Sequence, residues 1–251
     1  MPHTEMLPLL LKQLHLPTIQ KRWQSLHQQA MQDNWTMPRY LSVLCEEELA
    51  QRSNLRIQRC LTEAKLPLGK TLERFDFNAC RVHQAKINYL SHDSQWLENA
   101  ENLLLFGPSG TGKTHIAAAI GHAQVQRGQR VLFSATTTIV QHLQQEKRQL
   151  QLRQALAKLD KYVLLILDDI GYVKPSESES SVLFELIAHR YESASLVITS
   201  NQPLSAWESI FSDTMMTVAA VDRLIHHASI IEIQGESYRK TESTRRTQQS
   251  R

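Results

Sequence analysis

The chain has 251 residues, of which 41% are hydrophobic and 21% are charged, and its formal net charge is +3. This hydrophobic content can form a buried core, so the composition excludes a mostly disordered protein. The net charge is too small to indicate nucleic-acid binding by itself, and the longest uncharged apolar runs are far shorter than the roughly 18 residues that a membrane span requires.

The N-terminal sequence and the cysteines favour a protein of the cytoplasm. The apolar run 7–11 is too short for a secretory signal, is broken by Pro8 and has no small-residue cleavage site after it. The three cysteines, Cys45, Cys60 and Cys80, lack the paired spacing of a zinc site or a disulfide framework. We therefore expect reduced cysteines that serve packing, a cytoplasmic location and no contact with a membrane.

The first 68 residues predict a small all-helical domain. Apolar residues recur at helical spacing in the stretches 7–14 and 19–30, without strand-like alternation. A third helix is expected from about Pro38 to Lys65, with Thr36 as its N-cap. The segment 67–69, which contains a proline and a glycine, breaks this pattern and marks the domain boundary.

Residues 69–238 predict an α/β domain. Short leucine-rich or β-branched runs alternate here with helical stretches, which is typical of a doubly wound parallel sheet flanked by helices. The predicted strands are Asn102–Phe106, Arg130–Ser134, Val163–Leu167, Leu196–Ser200 and Ile230–Ile233. The final segment, 239–251, is basic and polar with nothing to bury, so we expect a disordered tail.

A phosphate-binding loop follows the first predicted strand and matches G-x-x-x-x-G-K-[ST] at every fixed position. Its residues are Gly107, Pro108, Ser109, Gly110, Thr111, Gly112, Lys113 and Thr114. The glycines allow backbone N–H groups to approach phosphate oxygens, Lys113 adds positive charge, and Thr114 offers a hydroxyl ligand to Mg²⁺. The loop therefore predicts binding of ATP with Mg²⁺, and a glycine-rich turn without a ligand is the alternative.

Polar residues follow the next strands of the predicted sheet. Asp168 and Asp169 end the third strand and Asn201 follows the fourth, so we expect all three in the crevice of the phosphate loop. Asp168 would hold the Mg²⁺ shell, Asp169 would orient or deprotonate the attacking water, and Asn201 would position that water or a γ-phosphate oxygen. An acidic strand end and an Asn turn are the structural alternatives. The histidine pair at 226–227 has no partner acids at metal-ligand spacing, so no metal beyond Mg²⁺ is expected.

Two further groups of cations have candidate roles. An ATPase needs positive charge at the γ-phosphate in the transition state, often from a neighbouring subunit, and Arg223 is the candidate, although pairing with Asp222 competes. The helical stretch 138–161 has an apolar face, and among its cations Lys147, Arg148, Arg153 and Lys158 lie on other faces. Such a surface can lie along DNA phosphates independently of the base sequence. The alternative is an ordinary pair of helices whose cations face solvent.

Several longer segments resemble a known family. LLLFGPSGTGKTH and LLILDDIGY occur widely among AAA+ proteins, whereas LFELIAHRYE, VITSNQP, VDRLIHH and IEIQGESYR are narrower. Together they resemble the IstB family of transposition helper ATPases, relatives of the DnaC-type helicase loaders and the DnaA initiators, and the likeness extends over nearly the whole chain.

This resemblance implies a P-loop AAA+ core with Asn201 as sensor 1, Arg223 as arginine finger and the helices at 138–161 touching DNA. It implies that the helical N-terminal domain serves self-association or partner docking. It also implies Mg²⁺-dependent ATP hydrolysis, homo-oligomeric assembly on duplex DNA, and help to a transposase of the same insertion sequence in choosing its target.

The chain departs from the AAA+ pattern in two places. Asp169 stands where many AAA+ proteins have Glu, and only 28 residues follow Arg223, too few for a lid with a second sensor arginine. A helicase loader, with the N-terminal domain bound to a replicative helicase, is the alternative function. A small-molecule kinase would also use the phosphate loop but would leave Asn201, Arg223 and the basic helices without a role.

Overall fold

A computed structural model of the protein describes residues 2–171, 176–211, 214–235 and 237, with only the backbone given for 2–5 and 208–209. The chain divides into two compact units, Met1–Arg59 and Cys60–Arg251. Within the described ranges, no helix is both long enough and apolar enough to cross a membrane. The domain boundary near residue 68 stays a prediction, and the basic tail 239–251 lies outside the described residues.

Helices and strands alternate along the second unit, as the sequence predicts. The described α-helices are α1 (Pro2–Gln13), α2 (Pro17–Gln32), α3 (Met37–Ala64), α4 (Gln84–His92), α5 (Gln95–Glu98), α6 (Lys113–Gln126), α7 (Thr136–Arg148), α8 (Leu152–Leu159), α9 (Glu177–Arg190) and α10 (Thr214–Ile225). The described strands are β1 (Asn102–Phe106), β2 (Val131–Ala135), β3 (Leu164–Ile170), β4 (Ser195–Ser200) and β5 (Ala228–Glu232). Short 3₁₀ helices lie at Leu72–Arg74 and Leu204–Ser209.

The described strands form one parallel sheet in the order β2-β3-β4-β1-β5. This confirms the predicted parallel α/β fold, and each predicted strand is present within a few residues of its expected ends. The order makes β3, β4 and β1 neighbours. Because parallel strands end at the same edge, the segments that follow these three strands meet there.

Helices cover both faces of the sheet. Leu103 and Leu105 of β1 pack in a cluster with Ile116 and Ile120 of α6, whereas Leu104 packs in a second cluster on the opposite face. That second cluster also contains the buried sides of α7, α8 and α9. Burial on both faces explains why the central strands are continuous apolar runs and not alternating ones.

The N-terminal unit is helical and has its own small core. Its helices pack through the buried side chains Leu11, Ile19, Leu26 and Leu44. At the start of α3, the hydroxyl of Thr36 accepts a hydrogen bond from the backbone N–H of Arg39 at 3.4 Å. Thr36 therefore caps this helix as the sequence predicts.

A buried acid of α3 caps the N-terminal end of α2. The carboxylate of Glu48 accepts hydrogen bonds from the backbone N–H groups of Thr18 at 2.8 Å and Ile19 at 3.1 Å, in the first turn of α2. Arg52 donates to the same carboxylate at 2.9 Å. Burial alone would raise the pKa of Glu48, but these hydrogen bonds outweigh it and lower the pKa.

One buried cation connects the N-terminal ends of two central strands. Arg190, at the end of α9, is 1% exposed. Its guanidinium donates to the backbone carbonyls of Tyr162 at 3.0 Å and Ser195 at 3.1 Å, and to those of Leu159 and Val163 at 3.4 Å. Desolvation lowers the pKa of Arg190 to about 10, so the side chain remains charged at neutral pH.

Replacing Arg190 with methionine is expected to lower the free energy of unfolding by about 2–4 kcal/mol, since methionine fills the space but removes a charged donor from buried carbonyls. Urea denaturation measures this change. Arg153→Met, at an exposed arginine of α8, is the matched control and should leave the midpoint unchanged. Equal midpoints for Arg190→Met and the wild type would show that these carbonyls are satisfied without the guanidinium.

Candidate functional site

The phosphate loop connects β1 to α6 and depends on glycine at two positions. Gly112 has a φ of 100°, and a Cβ atom there would lie 2.7 Å from Cε2 of Phe75. A Cβ atom at Gly107 would collide with the backbone carbonyl of Ile233. The loop is therefore enclosed by other parts of the second unit, and side chains at these positions would displace them.

Lys113 is the first residue of α6 and is buried. Its ammonium group donates to the carbonyl oxygens of Gly107 at 2.8 Å and Pro108 at 2.9 Å. The hydroxyl of Thr111 donates to the same Pro108 carbonyl at 2.9 Å. The first N–H groups of a helix have no acceptor within the helix, so this end of α6 suits an anion.

Thr199 of β4 organises the two acids at the end of β3. Its hydroxyl donates to the carboxylate of Asp168 at 2.7 Å and accepts from the backbone N–H of Asp169 at 2.8 Å. The pairing of β3 with β4 shifts register between Leu167 and Ile170, and Asp169 has a φ of 63°. This break in the strand separates the two carboxylates: Asp168 is half-buried, whereas Asp169 is exposed.

A cavity of about 590 Å³ brings most of the predicted residues together. From the predicted set it is lined by Ser109, Gly110, Thr111, Gly112, Lys113, Thr114, Asp169 and Asn201. Its volume is in the range of small-molecule sites. Asp168 is not one of its lining residues, although Thr199, which binds the Asp168 carboxylate, does line it.

Sequence reasoning missed the segment that forms the other wall of this cavity. That wall consists of Lys70, Arg74, Phe75, Asp76, Ala79 and Cys80. His115 of α6 and Thr199 of β4 also line the cavity and were not predicted from the sequence. The ring of Phe75 packs edge-on against Phe77 and His115, with centroids 4.8 Å and 5.2 Å apart. The closely spaced cations and aromatic rings at 70–77 were the available signal, but they form no motif that points to a site.

His115 and Cys80 are uncharged members of the cavity wall. A ring nitrogen of His115 lies 2.9 Å from the carbonyl of Thr71. Burial lowers the pKa of His115 more than the Thr71 hydrogen bond raises it, and the charge of Lys70 lowers it further. Burial, followed by the nearby charge of Asp76, raises the pKa of the Cys80 thiol. The charges of this wall therefore come from its lysine, arginine and aspartate.

Arg223 lies outside this cavity. It is half-buried on α10, donates to the carbonyl of Ala219 at 2.8 Å, and its guanidinium lies 5.4 Å from the ring centroid of Phe184. Within the described residues it forms no ion pair with Asp222, and it lines a separate open cavity. The structure therefore does not bring Arg223 to the phosphate loop of its own chain.

The four cations of the helical pair α7–α8 differ in their surroundings. Lys147 forms an ion pair with Glu185 of α9 at 2.7 Å and donates to the hydroxyl of Ser181 at 3.1 Å. The remaining three are exposed and have no ion-pair partner in the described part of the chain: Arg148, Arg153 and Lys158. These three are the cations that a nucleic acid could reach without displacing an acid.

Comparison with known proteins identifies relatives over nearly the whole chain. The family described as IstB-like ATP binding protein matches residues 9–246. An insertion sequence ATP-binding protein of Sinorhizobium fredii is 52% identical over 235 residues, which cover 93% of this chain and 79% of the relative.

Among solved structures, DnaI has a TM-score of 0.56 and 20% identity, over 68% of this chain and 96% of that protein. The replication initiator DnaA, bound to AMPPCP and single-stranded DNA, has a TM-score of 0.53 and 21% identity, over 68% of this chain and 52% of that protein. At this level of identity both likenesses concern the fold, which is that of the AAA+ P-loop domains.

The half-buried His115 is expected to make stability depend on pH. Because its pKa is lowered in the folded protein, the unfolded chain binds more protons below about pH 6.5, so stability is lost as the pH falls through this value. His115→Gln keeps a donor for Thr71 but does not titrate, so it should lose less stability than the wild type between about pH 7.5 and about pH 5.5. Urea denaturation at both pH values measures this, with His142→Gln at an exposed histidine as control. An equal loss in the wild type and His115→Gln would exclude the effect.

Proposed function

The chain belongs to the family of IstB-like ATP-binding proteins, and from this premise we propose that it hydrolyses ATP with Mg²⁺ as a homo-oligomer on duplex DNA. In this state it assists the transposase of its own insertion sequence in target selection. The observation that carries the proposal is the shared cavity, in which the phosphate loop, Asp169 and Asn201 line one space of nucleotide size.

The phosphate loop is proposed to hold the ATP phosphates. The N-terminal N–H groups of α6 would bind phosphate oxygens, and the ammonium of Lys113 would turn from the carbonyls of Gly107 and Pro108 towards the β and γ phosphates. Lys70 and Arg74 on the opposite wall add positive charge to the same cavity. This arrangement favours a ligand that carries several negative charges.

Mg²⁺ fits the oxygen donors near the loop. The hydroxyl of Thr114 and the carboxylate of Asp168 are hard ligands, and the Thr199 hydrogen bond fixes the orientation of that carboxylate. Since Asp168 does not line the cavity, we assign it a contact through water. When bound, the ion would supply positive charge to the phosphate oxygens as charge develops on them.

Asp169 and Asn201 are proposed to handle the attacking water. Asp169 is exposed and lines the cavity, whereas the Thr199 hydroxyl binds the carboxylate of Asp168. It would accept the proton of the water while the amide of Asn201 holds the water or a γ-phosphate oxygen. Because aspartate is one methylene shorter than glutamate, the attacking water must approach closer to the end of β3.

Arg223 is proposed to act in the site of a neighbouring subunit. Its position on α10, away from the cavity of its own chain, is consistent with this role and not with a role in cis. The hydrogen bond to Ala219 and the contact with Phe184 hold the guanidinium close to its own helix, so it would have to extend to reach a γ-phosphate. ATP hydrolysis is therefore expected to require assembly.

The N-terminal region, residues 1–68, is proposed to dock a partner or a second copy of the chain. The N-terminal unit exposes large apolar side chains on α1, directly after α1 and on α3: Leu9, Leu10, Leu14, Leu41 and Leu49. Contiguous exposed apolar surface is typical of protein contacts. The ATPase activity itself is assigned to residues 69–238.

Asp169→Asn and Arg223→Ala should each bind ATP but hydrolyse it at least about 100-fold more slowly than the wild type, because each lacks one half of a composite site. Mixing the two variants should restore part of the activity, since some interfaces then combine an intact Asp169 with an intact Arg223. Phosphate release with duplex DNA present measures the rates. Lys113→Ala, which should not bind ATP, is the negative control, and Asp33→Asn is the neutral one. If the mixture stays as inactive as its components, Arg223 does not act between subunits.

Neutralising exposed cations of α7 and α8 should weaken duplex DNA binding equally for all sequences. Arg148→Gln, Arg153→Gln and Lys158→Gln should each reduce the slope of log K against log salt by about 1. Lys147→Gln is the matched comparison and should change the slope less, because Glu185 already pairs with this lysine. Fluorescence anisotropy over a series of salt concentrations gives the slopes. Unchanged slopes in the three variants would remove the helical pair from the DNA interface.

A further inference from the structure

Three metal-ligating side chains converge on the surface of the second unit, far from the phosphate loop in sequence. Glu192, His226 and His227 each offer one ligand atom, and these atoms lie within 4.8 Å of one another. A carboxylate oxygen of Glu192 is 3.8 Å from a ring nitrogen of His226 and 3.8 Å from a ring nitrogen of His227. Both distances exceed that of a hydrogen bond, so the carboxylate faces both rings without bonding to either.

The backbone explains how these side chains meet. Glu192 follows the end of α9 and has a φ of 55°, while His226 and His227 occupy the turn between α10 and β5. Successive residues of a regular helix point in different directions, but in this turn the two imidazole centroids are only 4.0 Å apart. The expectation that the histidine pair has no partner acid was therefore wrong, because the acid comes from another segment.

Tyr191 holds one of the rings. Its hydroxyl lies 2.8 Å from Nδ1 of His226, and the two ring centroids are 6.0 Å apart. This Nδ1 atom is the same nitrogen that lies 3.8 Å from the Glu192 carboxylate, so an ion bound through Nδ1 would take the place of the Tyr191 hydroxyl.

We propose that Glu192, His226 and His227 bind a divalent transition-metal ion, with Zn²⁺ as the occupant. Two imidazoles and one carboxylate form a ligand set that Zn²⁺ accepts, and water completes a tetrahedral shell. With bonds of about 2.0–2.2 Å, tetrahedral ligand atoms lie about 3.4 Å apart. The two separations of 3.8 Å from the Glu192 carboxylate are close to this value. All three side chains are exposed, which leaves one side of the cluster open to water.

A simple ion pair explains the cluster less well. Exposed pairs at 3.8 Å contribute little to stability, and they would not favour bringing two imidazole rings together. A cation between the three groups would account for the closeness of the two rings, because each ring would donate a lone pair to the same ion. Mg²⁺ prefers oxygen ligands in octahedral geometry, so this site differs chemically from the one at the phosphate loop.

The ion would connect the segment that follows α9 to the segment that follows α10. Glu192 stands just beyond α9, and the histidines stand just beyond α10, one turn after Arg223. A bound metal would therefore fix the C-terminal end of α10 against the end of α9. The site can be tested without reference to ATP hydrolysis or DNA binding.

Isothermal titration of Zn²⁺ into the untagged, metal-free full chain, with excess Mg²⁺ present, should give one saturable site per chain. Cys45→Ser serves as the background, because this exposed thiol is another Zn²⁺ ligand. His226→Ala, His227→Ala and Glu192→Gln should each weaken binding at least about 10-fold. His142→Ala, at an exposed histidine of α7, should bind Zn²⁺ as the background does.

Thermal unfolding provides a second measurement. Zn²⁺ should raise the midpoint of the background protein and of His142→Ala, but not that of the cluster variants, because only a ligand of the folded state stabilises it. With EDTA all variants should unfold at similar temperatures, since the changed side chains are exposed. Equal Zn²⁺ affinity in His226→Ala and the background, or no saturable binding in the background, would overturn the proposal.

Discussion

The candidate site depends on one constraint, the adjacency of β3, β4 and β1 in a parallel sheet. Because these strands end at the same edge, the acids after β3, the amide after β4 and the phosphate loop after β1 share a cavity, although they are separated by many residues in sequence. Buried leucines on both faces fix the strands, and the Arg190 guanidinium binds carbonyls at the opposite ends of β3 and β4. The position of the polar groups thus follows from apolar packing and one buried cation.

Within this frame, Thr199 gives the two neighbouring acids different environments. A single hydroxyl binds the Asp168 side chain and the Asp169 backbone, so the first carboxylate is held while the second remains exposed in the cavity. Two residues of the same type therefore stand in different surroundings, and this difference is the basis of the two roles proposed for them. The left-handed conformation of Asp169 is part of this arrangement, as strain at functional sites often is.

Local sequence patterns predicted the fold and the loop well, because both depend on short stretches. The phosphate loop is a contiguous motif, and the strands are contiguous apolar runs, so neither requires knowledge of distant residues. Three features could not be predicted in this way: the wall at 70–80, the pairing of Lys147 with Glu185, and the meeting of Glu192 with the two histidines. Each joins segments whose proximity is decided by tertiary packing, and none has a spacing that distinguishes it from an ordinary surface.

The close fit of the C-terminal segment against the phosphate loop affects where the chain tolerates cleavage. The carbonyl of Ile233 occupies the space that a side chain at Gly107 would need, and Ser237 does the same at Gly110. The backbone N–H of Ile233 also bonds to the carbonyl of Phe106 at 2.8 Å. Cleavage beyond Ser237 would leave these contacts on the same fragment as the loop, whereas cleavage before Ile233 would break the covalent connection between the loop and the segment that packs against it.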